Sequence, residues 1–354
     1  MKNLTPAPVA AASVAILAML TGCAFLPKAA KEGAVAVVDP APPTELQRSL
    51  SATQEDGALA RLAIARSLPF IEAQGVAWMR GEVSIQEGAA CVSCHHVNYA
   101  VWGLTEAQRI GLEAPGGDIA WLTEAAIDFM AQPDKARSMS IGPMLLGMQE
   151  AHAGVHPVLA ERLVDLQTSS GRWRARGQFP DQRRPVAESD AVATMWSLLV
   201  LPDAELASSE AAKAAMAWLQ DAPAGVGYEW LAAKMLLAQA LGDEPTAAEV
   251  QAELLAGQNP DGGWGWLPGD ASNAFSTGQA LYALSRMGLL AEDGADARAC
   301  DRAQRFLIAD QSDDGSWPVP SAAISSEPNE ERDVIYHFWG TAWATIGLAR
   351  SLSV

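Results

Sequence analysis

Cysteine and histidine are scarce in this chain, four of one and five of the other among 354 residues. Any site built from thiols and imidazoles therefore has few places to be. Basic residues are also in short supply, 24 Lys and Arg against 42 Asp and Glu, which leaves a formal net charge of −18. That deficit excludes a nucleic-acid-binding surface and electrostatic adhesion to anionic lipid, because both need a positive surface. Beyond Cys23 no run is long and apolar enough to cross a bilayer. What is present is apolar surface: 49% of the residues are hydrophobic, enough for a large core.

The N-terminus reads as an export signal. Lys2 precedes the apolar run "PVAAASVAILAML", too short for a permanent transmembrane helix, and the run ends in "LTGC". This resembles a bacterial lipoprotein signal: residues 1–22 are removed and Cys23 carries the lipid. Residues 23–50, including the Pro-containing "KAAKEGAVAVVDPAPPTE", read as a flexible tether, and residues 51–354 as the folded part. The expected location is the bacterial cell envelope on the periplasmic side, with the outer membrane preferred because Ala24 is not the Asp of an inner-membrane retention signal. The expected partner is the membrane, reached through the lipid.

"GAACVSCHHVNYAVWGL", residues 88 to 104, gathers two cysteines and two histidines. Cys91-Val-Ser-Cys94-His95 has the C-x-x-C-H order of covalent haem c, in which two thiols meet the porphyrin vinyl groups and the next histidine reaches the iron. Export favours that reading, and Tyr99, Val101 and Trp102 would supply an apolar wall. Zinc held by Cys91, Cys94, His95 or His96, and a distant His337 is the alternative metal site. A Cys91–Cys94 disulfide is a third reading.

The chain also repeats. "QTSSGRW" from Gln167, "QNPDGGW" from Gln258 and "QSDDGSW" from Gln311 share Q-x-x-x-G-x-W, and "QDAPAGVGY" from Gln220 is a degenerate copy with Tyr228 as its aromatic. Apolar residues between them recur at three and four, which predicts helices. First-of-pair helices are expected near 56–79, 118–131, 156–168, 209–220, 246–257 and 296–309. Second-of-pair helices are expected near 93–111, 139–153, 190–201, 228–241, 275–288 and 338–352. The second set is rich in Ala, Gly, Ser and Thr all round, as buried helices are; the first set carries the charges. The fold expected is all-α, an α6/α6 double-ring toroid of six helical hairpins.

"QNPDGGWGW" and "QSDDGSWPVP" resemble the QW motifs of squalene–hopene cyclases and the wider terpenoid-cyclase and prenyltransferase toroid group, over roughly residues 155 to 354. The resemblance implies that Gln caps the end of an outer helix and that Trp packs against the next turn, fastening repeat to repeat. Fold does not carry activity with it. The group's cyclases protonate an alkene with a D-x-D-D acid at the start of an inner helix; "ESDAVAT" offers Glu188 and Asp190 there, with Ala191 in place of the last acid. Asp190 reads equally as a helix N-cap. Prenyltransferase zinc needs Asp, Cys and His; Asp270 and His337 occupy plausible rim positions, but no cysteine accompanies Asp270, and Cys300 reads as buried packing.

Ring closure makes the sixth hairpin a neighbour of the first, bringing His337 toward the C-x-x-C-H group from one side and Met139 and Met144 from the other. The function expected from these features is a membrane-tethered haem-c toroid acting in electron transfer, or in redox chemistry beside a hydrophobic cavity. Its partners would be a redox protein or a hydrophobic small molecule. The alternative is a non-haem, terpenoid-cyclase-like binding scaffold, or a degenerate cyclase using Asp190. His152 and His156 read as loop histidines, and "GRWRARGQFPDQRRP" as a basic loop over the rim able to dock an acidic partner.

Overall fold

The computed structural model describes residues 45–82, 96–132, 135, 138–150, 156–175, 184–201, 209–288, 294–319 and 330–352. Among these residues there are twelve helices and no strand. In chain order they are α1 (Glu45–Met79), α2 (Val97–Arg109), α3 (Ile119–Met130), α4 (Ser138–Glu150), α5 (Pro157–Asp165), α6 (Val186–Leu199), α7 (Glu210–Asp221), α8 (Tyr228–Ala240), α9 (Glu244–Ala256), α10 (Ala274–Arg286), α11 (Ala295–Asp310) and α12 (Glu330–Ser351).

The even-numbered helices form a closed inner ring. Helix α2 packs on α4, α4 on α6, α6 on α8, α8 on α10, α10 on α12, and α12 returns to α2. The odd-numbered helices lie outside them, α1 against α2, α5 against α4, α7 against α6, α9 against α8 and α11 against α10. Burial follows from this position. Every residue of α2 from Val97 to Ala107 and of α10 from Ala274 to Ser285 is buried, whereas α3 buries only Leu122, Ala126 and Met130, one stripe at helical spacing. The α6/α6 toroid is therefore the observed fold. Adjacent inner helices α2 and α12 run parallel: His96 meets Phe338, Tyr99 meets Trp339 and Trp343, and Gly103 faces Ala342 and Ile346.

The Q-x-x-x-G-x-W segments bind this ring together in one repeated way. Gln167, Gln258 and Gln311 each donate through Nε2 to the glycine carbonyl of their own loop and to the next outer helix: to Ala211 on α7, Ala299 on α11 and Ala63 on α1, at 2.7, 2.8 and 2.8 Å. The indoles of Trp173, Trp264 and Trp317 donate back to Leu163, Leu254 and Leu307 of the outer helix just finished. Their backbone N–H groups reach forward to the hydroxyls of Thr194, Thr277 and Thr341 on the inner helix to come. The motif glycine has to be glycine. Gly262 and Gly315 adopt φ of +94° and +86°, and a Cβ on either would press into the backbone carbonyl of Arg302 or Arg66 on the next outer helix.

Several helix boundaries differ from expectation. Helix α1 begins at Glu45 rather than near residue 56, and α12 at Glu330 rather than near residue 338. The earlier start of α12 puts His337 within the helix, not at its first turn. Asp190 is not an N-cap: α6 starts at Val186 behind Pro185, whose ring fixes the backbone there, and Asp190 falls in the second turn.

Candidate functional site

Cys23, Cys91, Cys94 and His95 lie outside the described residues, as does His152. The next residue after the C-x-x-C-H run, His96, is fully buried, its ring sandwiched between Trp78 at 3.8 Å and Phe338 at 4.2 Å. His337 is half-buried on a different wall. Its ring stacks on Phe70 of α1 at 5.1 Å, and its Nε2 meets Ser316 Oγ at 2.7 Å. Ser316 Oγ donates its single proton to Asp314 Oδ1, so Nε2 of His337 is the donor to Ser316. Burial lowers the His337 pKa, against a smaller opposing effect of Asp314. His156 is the N-cap residue of α5, and Cys300 is a buried free thiol whose pKa is pushed up to about 12 by burial.

The two acids of "ESDAVAT" fall in the first two turns of α6 and are both engaged by backbone. Glu188 is buried, and its oxygens accept from Val226 N and Gly227 N, both at 3.0 Å, at the start of α8. Gly225 and Gly227 make room for it, since a Cβ on either would collide with the Glu188 side chain. Asp190 accepts from Ala175 N at 2.9 Å and pairs with Arg172 Nε at 3.0 Å. Both carboxylates thus fasten loops to the inner ring.

Between these helix starts lies a charged pair that the sequence did not disclose. Arg184, read above as part of a basic loop over the rim, is buried; it pairs with Glu229 and donates through Nε to Ser189 Oγ at 3.0 Å. Tyr99 of α2 is buried beside them. Desolvation raises its pKa well above the ordinary value, with Glu229 adding to the rise and Arg184 opposing it. The available signal was Glu229 itself, a carboxylate on the apolar helix "YEWLAAKMLLAQA": a buried charge needs a partner.

Deeper along the axis the ring is lined with aromatic side chains. Trp102 of α2 lies 5.0 Å from Trp343 of α12, 5.3 Å from Tyr282 of α10 and 6.4 Å from Trp196 of α6. Trp196 and Trp343 meet at 5.9 Å although α6 and α12 stand opposite each other in the ring. Nearer the helix starts, Trp266, Phe275, Tyr336 and Trp339 form a second layer, with Trp266 partly exposed.

No family model matches the chain. A 72-residue stretch, 20% of this chain, is 42% identical to drimenyl diphosphate synthase of Streptantibioticus cattleyicolor, and the match spans only 12% of that protein's length. Among solved structures, a type II terpene cyclase from Scytonema in complex with merosterolic acid A is similar at TM-score 0.46 and 14% identity, covering 82% of this chain and 98% of the other. An ent-copalyl diphosphate synthase from Streptomyces platensis is similar at TM-score 0.47 and 18% identity, over 72% of this chain and 50% of the other. The likeness is one of fold.

These findings correct the haem-c electron-transfer reading. Among the described residues, the axial face of α2 carries Tyr99 and Trp102, packed against rings from α6, α10 and α12. Among the described residues no group of three or more His, Cys, Asp or Glu converges as a metal-ligand set. No described helix is long and apolar enough to cross a membrane.

Proposed function

We propose that this protein is a terpenoid-cyclase-like scaffold that binds a hydrophobic isoprenoid against the aromatic lining of its inner ring and does not cyclise it. The observation that carries the reading is the state of Glu188 and Asp190. An acid able to protonate an alkene has to present its proton to the substrate, whereas these carboxylates accept hydrogen bonds from Val226, Gly227 and Ala175 and pair with Arg172. The aromatic lining is retained on four of the six inner helices, and such surfaces bind apolar chains by area burial and ring contact. Within the same proposal the protein belongs to the bacterial cell envelope, held by lipid on Cys23.

The test is a titration of the purified protein with farnesol, followed by intrinsic tryptophan fluorescence. Saturable quenching supports binding at the aromatic ring; a change that never saturates, or none, overturns it.

A further inference from the structure

Gln279 sits on α10 one turn from Phe275 and one turn from Tyr282, both of which contact Trp343 at the axis. It is 1% exposed, and neither its amide nitrogen nor its amide oxygen has a hydrogen-bond partner. The repeat makes its position unusual. Thr194, Thr277 and Thr341 occupy equivalent places, each accepting from the tryptophan of its motif; two residues further on stand Trp196, Gln279 and Trp343. An amide thus replaces an indole at one level of an aromatic cluster. At that level the Nε1 groups of Trp102 and Trp343 are also buried without a partner, and the two rings lie 5.0 Å apart.

Burying an amide without a partner is costly, and such a group in a folded protein calls for a specific explanation. Replacing Gln279 by an apolar residue would remove the cost if nothing paired with it. We infer that Gln279, with the indole N–H groups of Trp102 and Trp343, forms a subsite for the neutral oxygen of an oxygenated isoprenoid, a hydroxyl or carbonyl. This rests on the binding reading above. The chemistry favours a neutral oxygen: the three side chains offer N–H donors and one amide acceptor with no charge among them, a set that matches a hydroxyl in both roles. The hydrocarbon remainder then lies against Phe275, Trp339 and Trp266 toward the helix starts. An internal water satisfies the same donors, and the test separates the two occupants.

Binding of farnesol and of farnesene, which has the same carbon number without the oxygen, is measured by tryptophan fluorescence on wild type and on Gln279→Met, a change that keeps volume. Gln279→Leu serves as a second variant, and thermal melting confirms that both fold. The subsite predicts that wild type prefers the alcohol by about tenfold, the equivalent of one net hydrogen bond, and that both variants lose the preference by weakening farnesol alone. Equal binding of the two probes by wild type, or a preference that survives in the variants, overturns the subsite and assigns the amide to internal water, leaving the binding function standing. Absence of saturable binding for either probe overturns the function and the subsite together.

Discussion

Gln311 donates through Nε2 to the carbonyl of Ala63 at 2.8 Å, joining the last repeat to the first helix across 248 positions of sequence. The same side chain also holds the Gly315 carbonyl at 2.9 Å, and Arg305 pairs with Asp56 along the same seam. Ring closure therefore uses the bond that Gln167 and Gln258 make between successive repeats. Gln311→Ala should lower stability by about 1–3 kcal/mol, the net worth of its two hydrogen bonds to backbone carbonyls, measured by urea unfolding. A variant as stable as wild type would mean that the seam is held elsewhere.

Trp264 and Trp317 are fully buried and each spends its indole N–H on a helix-ending carbonyl, Leu254 or Leu307. Truncation to Ala should cost about 3–5 kcal/mol at each site. Denaturant midpoints unchanged at both would remove the tryptophans from the role of fasteners between helices.

Gly269 and Gly315 share φ of +86°, but only Gly315 has a neighbouring helix backbone where a Cβ would go; nothing stands within 4 Å of that position at Gly269. Gly269→Ala should cost roughly 1–2 kcal/mol, the left-handed strain alone. Gly315→Ala should cost more, because the carbonyl of Arg66 must also move. Equal losses in calorimetry would show that loop and helix are not in close approach.

His337 is held below its ordinary pKa of 6.5 by burial. As pH falls, the unfolded chain takes up this proton before the folded protein does, so the stability associated with neutral His337 is complete above about pH 6.5 and declines below it. The difference in unfolding free energy between wild type and His337→Gln should shrink as pH is lowered from 7.5 toward 5.5. A constant difference across that range would mean that His337 titrates alike in both states.

Most of the toroid could be read from the sequence because its signals are local and repeated. Trp173, Trp264 and Trp317 recur with their Gln and Gly at fixed spacing, and the inner helices show their burial in small residues on every face. The chemistry was less legible. The C-x-x-C-H order, the export signal and the apolar residues after it suggested haem, while the lining of the axis is decided by Trp102, Trp196, Tyr282 and Trp343, which lie on four different helices and are far apart in sequence. Arg184 lies in a stretch whose other arginines made it read as part of a basic loop over the rim, and its partner Glu229 is 45 positions away. Glu188 and Asp190 lie in the first two turns of one inner helix, α6, with Pro185 rather than Asp190 at its N-cap, and their hydrogen-bond partners belong to loops whose paths no local pattern specifies.

The central claim is a cyclase-like ring that binds without turnover. Its most direct test is prolonged incubation of the purified protein with farnesyl diphosphate, with extraction and analysis by gas chromatography and mass spectrometry after removal of the diphosphate. The account predicts that the linear isoprenoid is recovered unchanged. A cyclised product formed by wild type and lost in Asp190→Asn would contradict it and make Asp190 the acid of a working cyclase.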